Sequence, residues 1–188
     1  MCKKVWKSVL IGLCVVIAAL VVYHLTWTPN TEGITDKARL AVERSETCDK
    51  PNNDFRYVIH FPKEWKKDYT GIPGPLPMTC MNTVSSFFHP APEGNWAQCN
   101  YFVNHLKRLG FKQVDDPKPG DVVVFFKAGG DARHTGLYVG NSLFGALMNH
   151  SDGGKKPSNY HHHFPIWVYM VGAKMRGYVD YKFYRCVE

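Results

Sequence analysis

Neither a CxxC nor an HExxH pair occurs in this chain, so the two close-spaced patterns most diagnostic of zinc are missing. No internal repeat and no low-complexity tract is present either, which excludes solenoids and linker-like composition. Lysine and arginine are scattered, with no dense basic stripe and no recognisable nucleic-acid module, and this argues against nucleic acid as a partner. Acidic residues are the minority, 16 against 23 basic, for a formal charge of +7. Three of those 23, Lys3, Lys4 and Lys7, precede the first apolar run, leaving 20 basic against 16 acidic residues. That mild excess suits solubility or an anionic surface such as a membrane or cell wall.

What is present begins with a charge-free run of fifteen residues, Val9 to Tyr23, after the basic start MCKKVWK. Val5, Trp6, Leu25 and Trp27 extend it toward the length of a membrane span, and Lys7 can snorkel. The lysines on its N-terminal side place that end in the cytoplasm and the rest of the chain on the periplasmic or extracellular side. A cleaved signal peptide is the rival, but no small-x-small cleavage site follows the run. Residues 1–28 are therefore read as a cytoplasmic tip and signal anchor contacting membrane through residues 5–27. A linker follows at 29–34, and one domain at 35–188. With 45% hydrophobic and 21% charged residues in 188, that domain can bury an ordinary core.

Six cysteines occur: Cys2, Cys14, Cys48, Cys80, Cys99 and Cys186. If Cys80 is to stay reduced, the exported part can form at most one bridge, and Cys48 with Cys186 is the candidate because both lie outside the central motifs.

Thr35 caps a helix over TDKARLAVERSET, and FRYVIHF alternates as a strand. GIPGPLP is a loop leading to Cys80, which opens a helix capped by Thr79, presenting Met81, Val84 and Phe88 and ended by Pro90. Asn95 caps the next helix, with Gln98 in the capping-box position, an apolar stripe of Cys99, Phe102, Val103, Leu106 and Leu109, and Gly110 as its stop. VVVFF, HTGLYVG and ALMNH then read as strands, as do PIWVYMV and YVDYKFYR. Helices first and strands afterwards indicate an α+β domain, with N-terminal helices packed on an antiparallel sheet.

A thiol is a useful nucleophile when a base holds it as thiolate and a third group orients that base. Cys80 sits where a helix's first-turn amides favour negative charge. Cys99 is the competing nucleophile, but its place on the apolar stripe makes it a core residue. His134 follows the glycine-rich KAGGDAR and is expected at a sheet edge within reach of thiol and solvent, as a base requires. Asn149 or His150 could orient it. Strand alternation turns those two to opposite faces, so only one can serve, and bringing His150 beside His134 is expected to need a loop around GNSLFG longer than a two-residue turn. The run His161, His162 and His163 reads as a solvated loop. A zinc site from Cys80, His134 and His150 is the alternative chemistry.

NWAQ, LGFKQV, DPKPGDVVVFF and HTGLYVGN, in that order, resemble the second half of CHAP domains and their NlpC-type relatives, the papain-like cysteine amidases and peptidases. The likeness covers roughly residues 69 to 151. It implies a papain-like fold, Cys80 as nucleophile, His134 as general base, His150 as the orienting residue and Tyr69 as a site-lining residue, with no cofactor. Met81-Asn82 stands where NlpC-type members carry small residues, and the glutamate common in CHAP members at the third position is missing. The family commonly cuts amide bonds of bacterial peptidoglycan, so the expected substrate is a peptidoglycan peptide. A non-catalytic wall-binding or immunity module is the alternative.

Overall fold

The computed structural model describes residues 2–48, 80, 84, 87, 88, 103, 104, 106, 107, 110–151 and 160–187. An apolar helix, α1 (Cys2–Thr26), precedes α2 (Asp36–Glu46). The strands are β1 (Phe111–Val114), β2 (Val122–Lys127), β3 (Ala132–Ser142), β4 (Gly145–Ser151) and β5 (Tyr160–Pro165), after which α3 (Ile166–Lys174) leads into β6 (Tyr178–Cys186). The strands form one six-stranded sheet in the order β1-β6-β2-β3-β4-β5, antiparallel throughout. The protein is thus α+β, with an antiparallel sheet and an N-terminal apolar helix.

From Trp6 to Thr26 α1 is long and apolar enough to cross a membrane, 21 residues, or about 31 Å at the helical rise per residue. Its side chains from Trp6 onward stand largely exposed.

Both faces of the sheet are covered. On one, α2 and the helical residues Val84, Phe87, Val103 and Leu106 pack on Val122, Val124 and Leu137. On the other, Ile166, Tyr169, Met170 and Ala173 of α3 pack on Val123, Phe125, Tyr138 and Met148. PIWVYMV is therefore a helix and not the expected strand. Its buried residues recur at i, i+3, i+4 and i+7, and this helical period outweighs the β-branched composition.

Thr35 caps α2 as expected, its hydroxyl accepting the Ala38 amide at 3.2 Å. The helix then runs across the strands. Its first turn presses on Gly120 ahead of β2, while at its far end Ser45 accepts from Asn149 of β4 and the Ser45 carbonyl accepts the Tyr160 hydroxyl of β5. Asp121 of the PKPGD turn is a structural anchor: it accepts the Lys118 amide at 2.7 Å and pairs with Arg185 of β6 at 2.8 Å. That hydrogen bond raises the Arg185 pKa further above its already high ordinary value.

The expected Cys48–Cys186 bridge is not formed; both thiols are buried and they are not joined. Cys186 ends β6 opposite Phe111 of β1, whereas Cys48 lies close enough to Tyr160 of β5 to act on its hydroxyl. Four strand intervals separate β6 from β5, about 19 Å, far beyond disulfide reach.

The structure also replaces the loop expected around GNSLFG. Ser142 pairs with Gly145, so Leu143 and Phe144 make a two-residue turn, and a bulge between Tyr138 and Gly140 shifts the register by one. The bulge, not a longer loop, sets which residues of β4 face His134.

Candidate functional site

His134 is the third residue of β3, an interior strand, and only 4% exposed. The expectation of an accessible sheet-edge histidine is corrected accordingly: β2 and β4 flank it, and the turn within KAGGDAR, residues 128–130, lies before β3 begins at Ala132. Leu137 pairs with Asn149 and Tyr138 with Met148, so His150 lies across from Gly136, diagonal to His134 on the same face. Their rings meet, His134 Nε2 to His150 Nδ1 at 3.0 Å, nearly perpendicular at 86°.

Gly136 makes that meeting possible. A Cβ placed there would stand 2.9 Å from the Met148 sulfur and 3.2 Å from His150 Cβ. Gly136→Ala is expected to push His150 aside at a cost of about 1–3 kcal/mol. The check is thermal unfolding together with the imidazole proton resonances, which should lose the His134–His150 hydrogen bond while the remaining spectrum keeps its dispersion.

Rings enclose the pair. Tyr169 of α3 stacks on His134 at 4.6 Å and 15°, Phe125 lies 5.7 Å away, and His161 stacks on His150 at 5.0 Å. The His161 to His163 run is thus part of β5 and not a solvated loop, with His161 directed at the pair. Burial holds the Tyr169 hydroxyl well above the usual tyrosine range, and nearby Tyr178 and Cys80 push it in the same direction. It stays protonated at working pH and cannot act as a base.

Cys80 is helical and 7% exposed. It packs with Val84, Phe87 and the helical cluster on the α2 face, whereas His134 and His150 face α3. Tyr169 covers the histidine pair, stacking on His134 and lying edge-on to His150. The two histidines are brought directly together, and Cys80 packs in the cluster on the α2 face. Among the described residues, no three His, Cys, Asp or Glu side chains are grouped as a metal ion requires, so the zinc reading finds no ligand set there. Tyr69, Thr79, Asn95 and Cys99 lie outside the described residues, as does the FRYVIHF strand.

Alternation turns Asn149 and His150 to opposite faces, and the bulge between Tyr138 and Gly140 puts His150 on the face of His134. Asn149 turns to the α2 face, donating to Ser45 Oγ at 2.9 Å and Glu46 Oε1 at 2.7 Å and accepting the His163 amide at 2.8 Å. His163 also places Nε2 2.7 Å from Glu46 Oε2. These bonds hold His163 at φ 50, a left-handed conformation rare outside glycine. Sequence reasoning missed this cluster because Glu46 and Asn149 are 103 residues apart.

Burial alone would raise the Glu46 pKa, but hydrogen bonds from His163 and Asn149, with the charges of His163 and His162, outweigh it and leave it lowered. A depressed carboxylate contributes stability above its unfolded pKa and loses it as pH falls through the folded one. Glu46→Gln is therefore expected to cost about 1–2 kcal/mol near neutral pH, with the difference from wild type closing as pH drops below the usual carboxylate range. Chemical denaturation across that range is the check.

Comparison with family models, curated proteins and solved structures returned no match.

Proposed function

We propose that the chain is a membrane-anchored thiol hydrolase that cuts amide bonds, its substrate a peptidoglycan peptide and its catalytic residues Cys80, His134 and His150. The observation that carries this reading is the buried His134–His150 contact at 3.0 Å, under the ring of Tyr169. A histidine whose Nε2–H donates to a second imidazole is fixed in the tautomer that offers Nδ1 as a base. Cys80 gives its proton to that nitrogen and its sulfur attacks the amide carbon. The tetrahedral adduct collapses as His134 returns the proton to the leaving amine, forming a thioester. His134 then deprotonates water, which attacks the thioester and releases the carboxylic acid and the thiol. The order of Cys80, His134 and His150 and the motif likeness to CHAP and NlpC-type enzymes support the same roles. An uncleaved α1, with its N-terminus in the cytoplasm, would hold the domain against its substrate on the exported side.

One observation favours a second reading. Cys80 and His134 are 7% and 4% exposed and pack with opposite faces of the sheet, as suits a wall-binding or immunity module that keeps the architecture without turnover.

The test is digestion of purified peptidoglycan by the full chain in detergent, following newly freed amino groups. The hydrolase reading expects product that a thiol alkylator abolishes and a chelator spares. The opposite pattern makes the enzyme a metallohydrolase, and no product with folded protein favours the binding module.

A further inference from the structure

We infer that the folded domain docks on the same bilayer that α1 enters, through an apolar patch built from the β3–β4 turn and the outer stripe of α3. The β3–β4 turn sits against the C-terminal end of α1. The Leu143 amide donates to the Tyr23 hydroxyl at 3.4 Å, and the Phe144 ring packs edge-on against His24 at 5.3 Å. Trp27, just past the helix, lies over Gly140, its ring atoms 3.3 Å from where a Cβ would stand. The turn is therefore held at the level where the apolar helix ends.

From there the patch extends onto α3. The Trp167 indole N–H donates to the Phe144 carbonyl at 2.9 Å, which sets Trp167 at the same level. Val171 and Met175 follow at spacings of four, on the stripe opposite Tyr169 and Ala173. Leu143 is 71% exposed, Trp167 59%, Val171 61% and Met175 85%. Large apolar side chains gathered this way need a cover. A bilayer is the occupant because the patch is continuous with the membrane-crossing helix and carries a tryptophan, the side chain that prefers the headgroup boundary. Exposed Lys174 and Arg176 at the end of α3 supply the charge that anionic headgroups attract. On its buried side the same helix holds Tyr169 over His134, so the element on the membrane is also the cover of the histidine pair.

The inference requires α1 in a bilayer and is independent of the hydrolase reading. The test uses the full chain in single-copy nanodiscs made with ordinary or chain-brominated lipid, and reads tryptophan emission. The part of the emission removed by Trp167→Phe is expected to fall by about half or more in brominated discs, as a ring at the headgroup and acyl boundary should. Val171→Asp with Met175→Asp, which keeps Trp167, should restore most of that emission while the chain still resists alkaline carbonate extraction. Trp167 emission equal in both lipids, with α1 still resistant to extraction, overturns the inference. So does emission blind to bromine in single-copy discs that shifts when two copies share a disc, in favour of a second chain as the cover. Extraction of the wild-type chain by carbonate overturns it through its premise, with the hydrolase reading left standing or falling on its own assay.

Discussion

His134→Ala is expected to lower amide turnover by about 10³ to 10⁴ fold if, as proposed, His134 both generates the thiolate and protonates the leaving amine. The fold should survive: His134 is near the start of β3, among the described residues its ring hydrogen-bonds to His150, and Phe125 and Tyr169 can close over an alanine. His150→Ala should cost less, since in the proposed mechanism His150 acts through His134, and its signature should be a shifted pH profile of kcat/KM. His150→Asn, which retains a hydrogen-bonding side chain toward Nε2, should recover part of the loss. Parallel assays of the three variants, with circular dichroism as the control for folding, separate a base and its positioning partner from two core residues. Equal turnover in wild type and His134→Ala would remove the base from the account.

Gly120→Ala is expected to be the most damaging substitution outside the site, at about 3 kcal/mol or more. Gly120 adopts φ +93, a region L side chains rarely enter, and a Cβ there would stand 2.6 Å from Ala38 Cβ and 2.9 Å from the Ala38 Cα and carbonyl oxygen. Backbone on the first turn of α2 cannot yield as a flexible side chain could. The consequence reaches the far end of the helix, where Ser45 and Glu46 hold Asn149 and thereby the β4–β5 pairing beside His150. Thermal unfolding should show the loss, and Ala38→Gly in the Gly120→Ala background should return part of it by removing the closest clash. A Gly120→Ala chain as stable as wild type would mean that α2 does not press on the PKPGD turn.

The sequence made the helix from Asp36 legible because one hydroxyl, Thr35, fixes its start, and β2, β3 and β4 legible because their apolar content and turn residues bound them closely. The α3 segment misled because Trp167, Val168, Tyr169 and Val171 carry strand propensity, while its helical period is visible only once Ile166, Tyr169, Met170 and Ala173 are taken together. His134 and His150 could be paired from order along the chain, and alternation could say that Asn149 and His150 point opposite ways. Which one faces His134 depended on the bulge at Val139, a single unpaired residue with no composition signal. Glu46, His163 and Tyr169 came from elements distant in sequence, where no local pattern reaches. The Cys48–Cys186 expectation failed for a related reason: it came from position along the chain, whereas strand order decides which cysteines can meet.

Peptidoglycan digestion by Cys80→Ala beside Cys99→Ala tests the central claim most directly. The account predicts that the full chain carrying Cys80→Ala releases no new amino groups while Cys99→Ala retains most of the wild-type rate. Loss of product with Cys99→Ala alone, or undiminished product with Cys80→Ala, would contradict it.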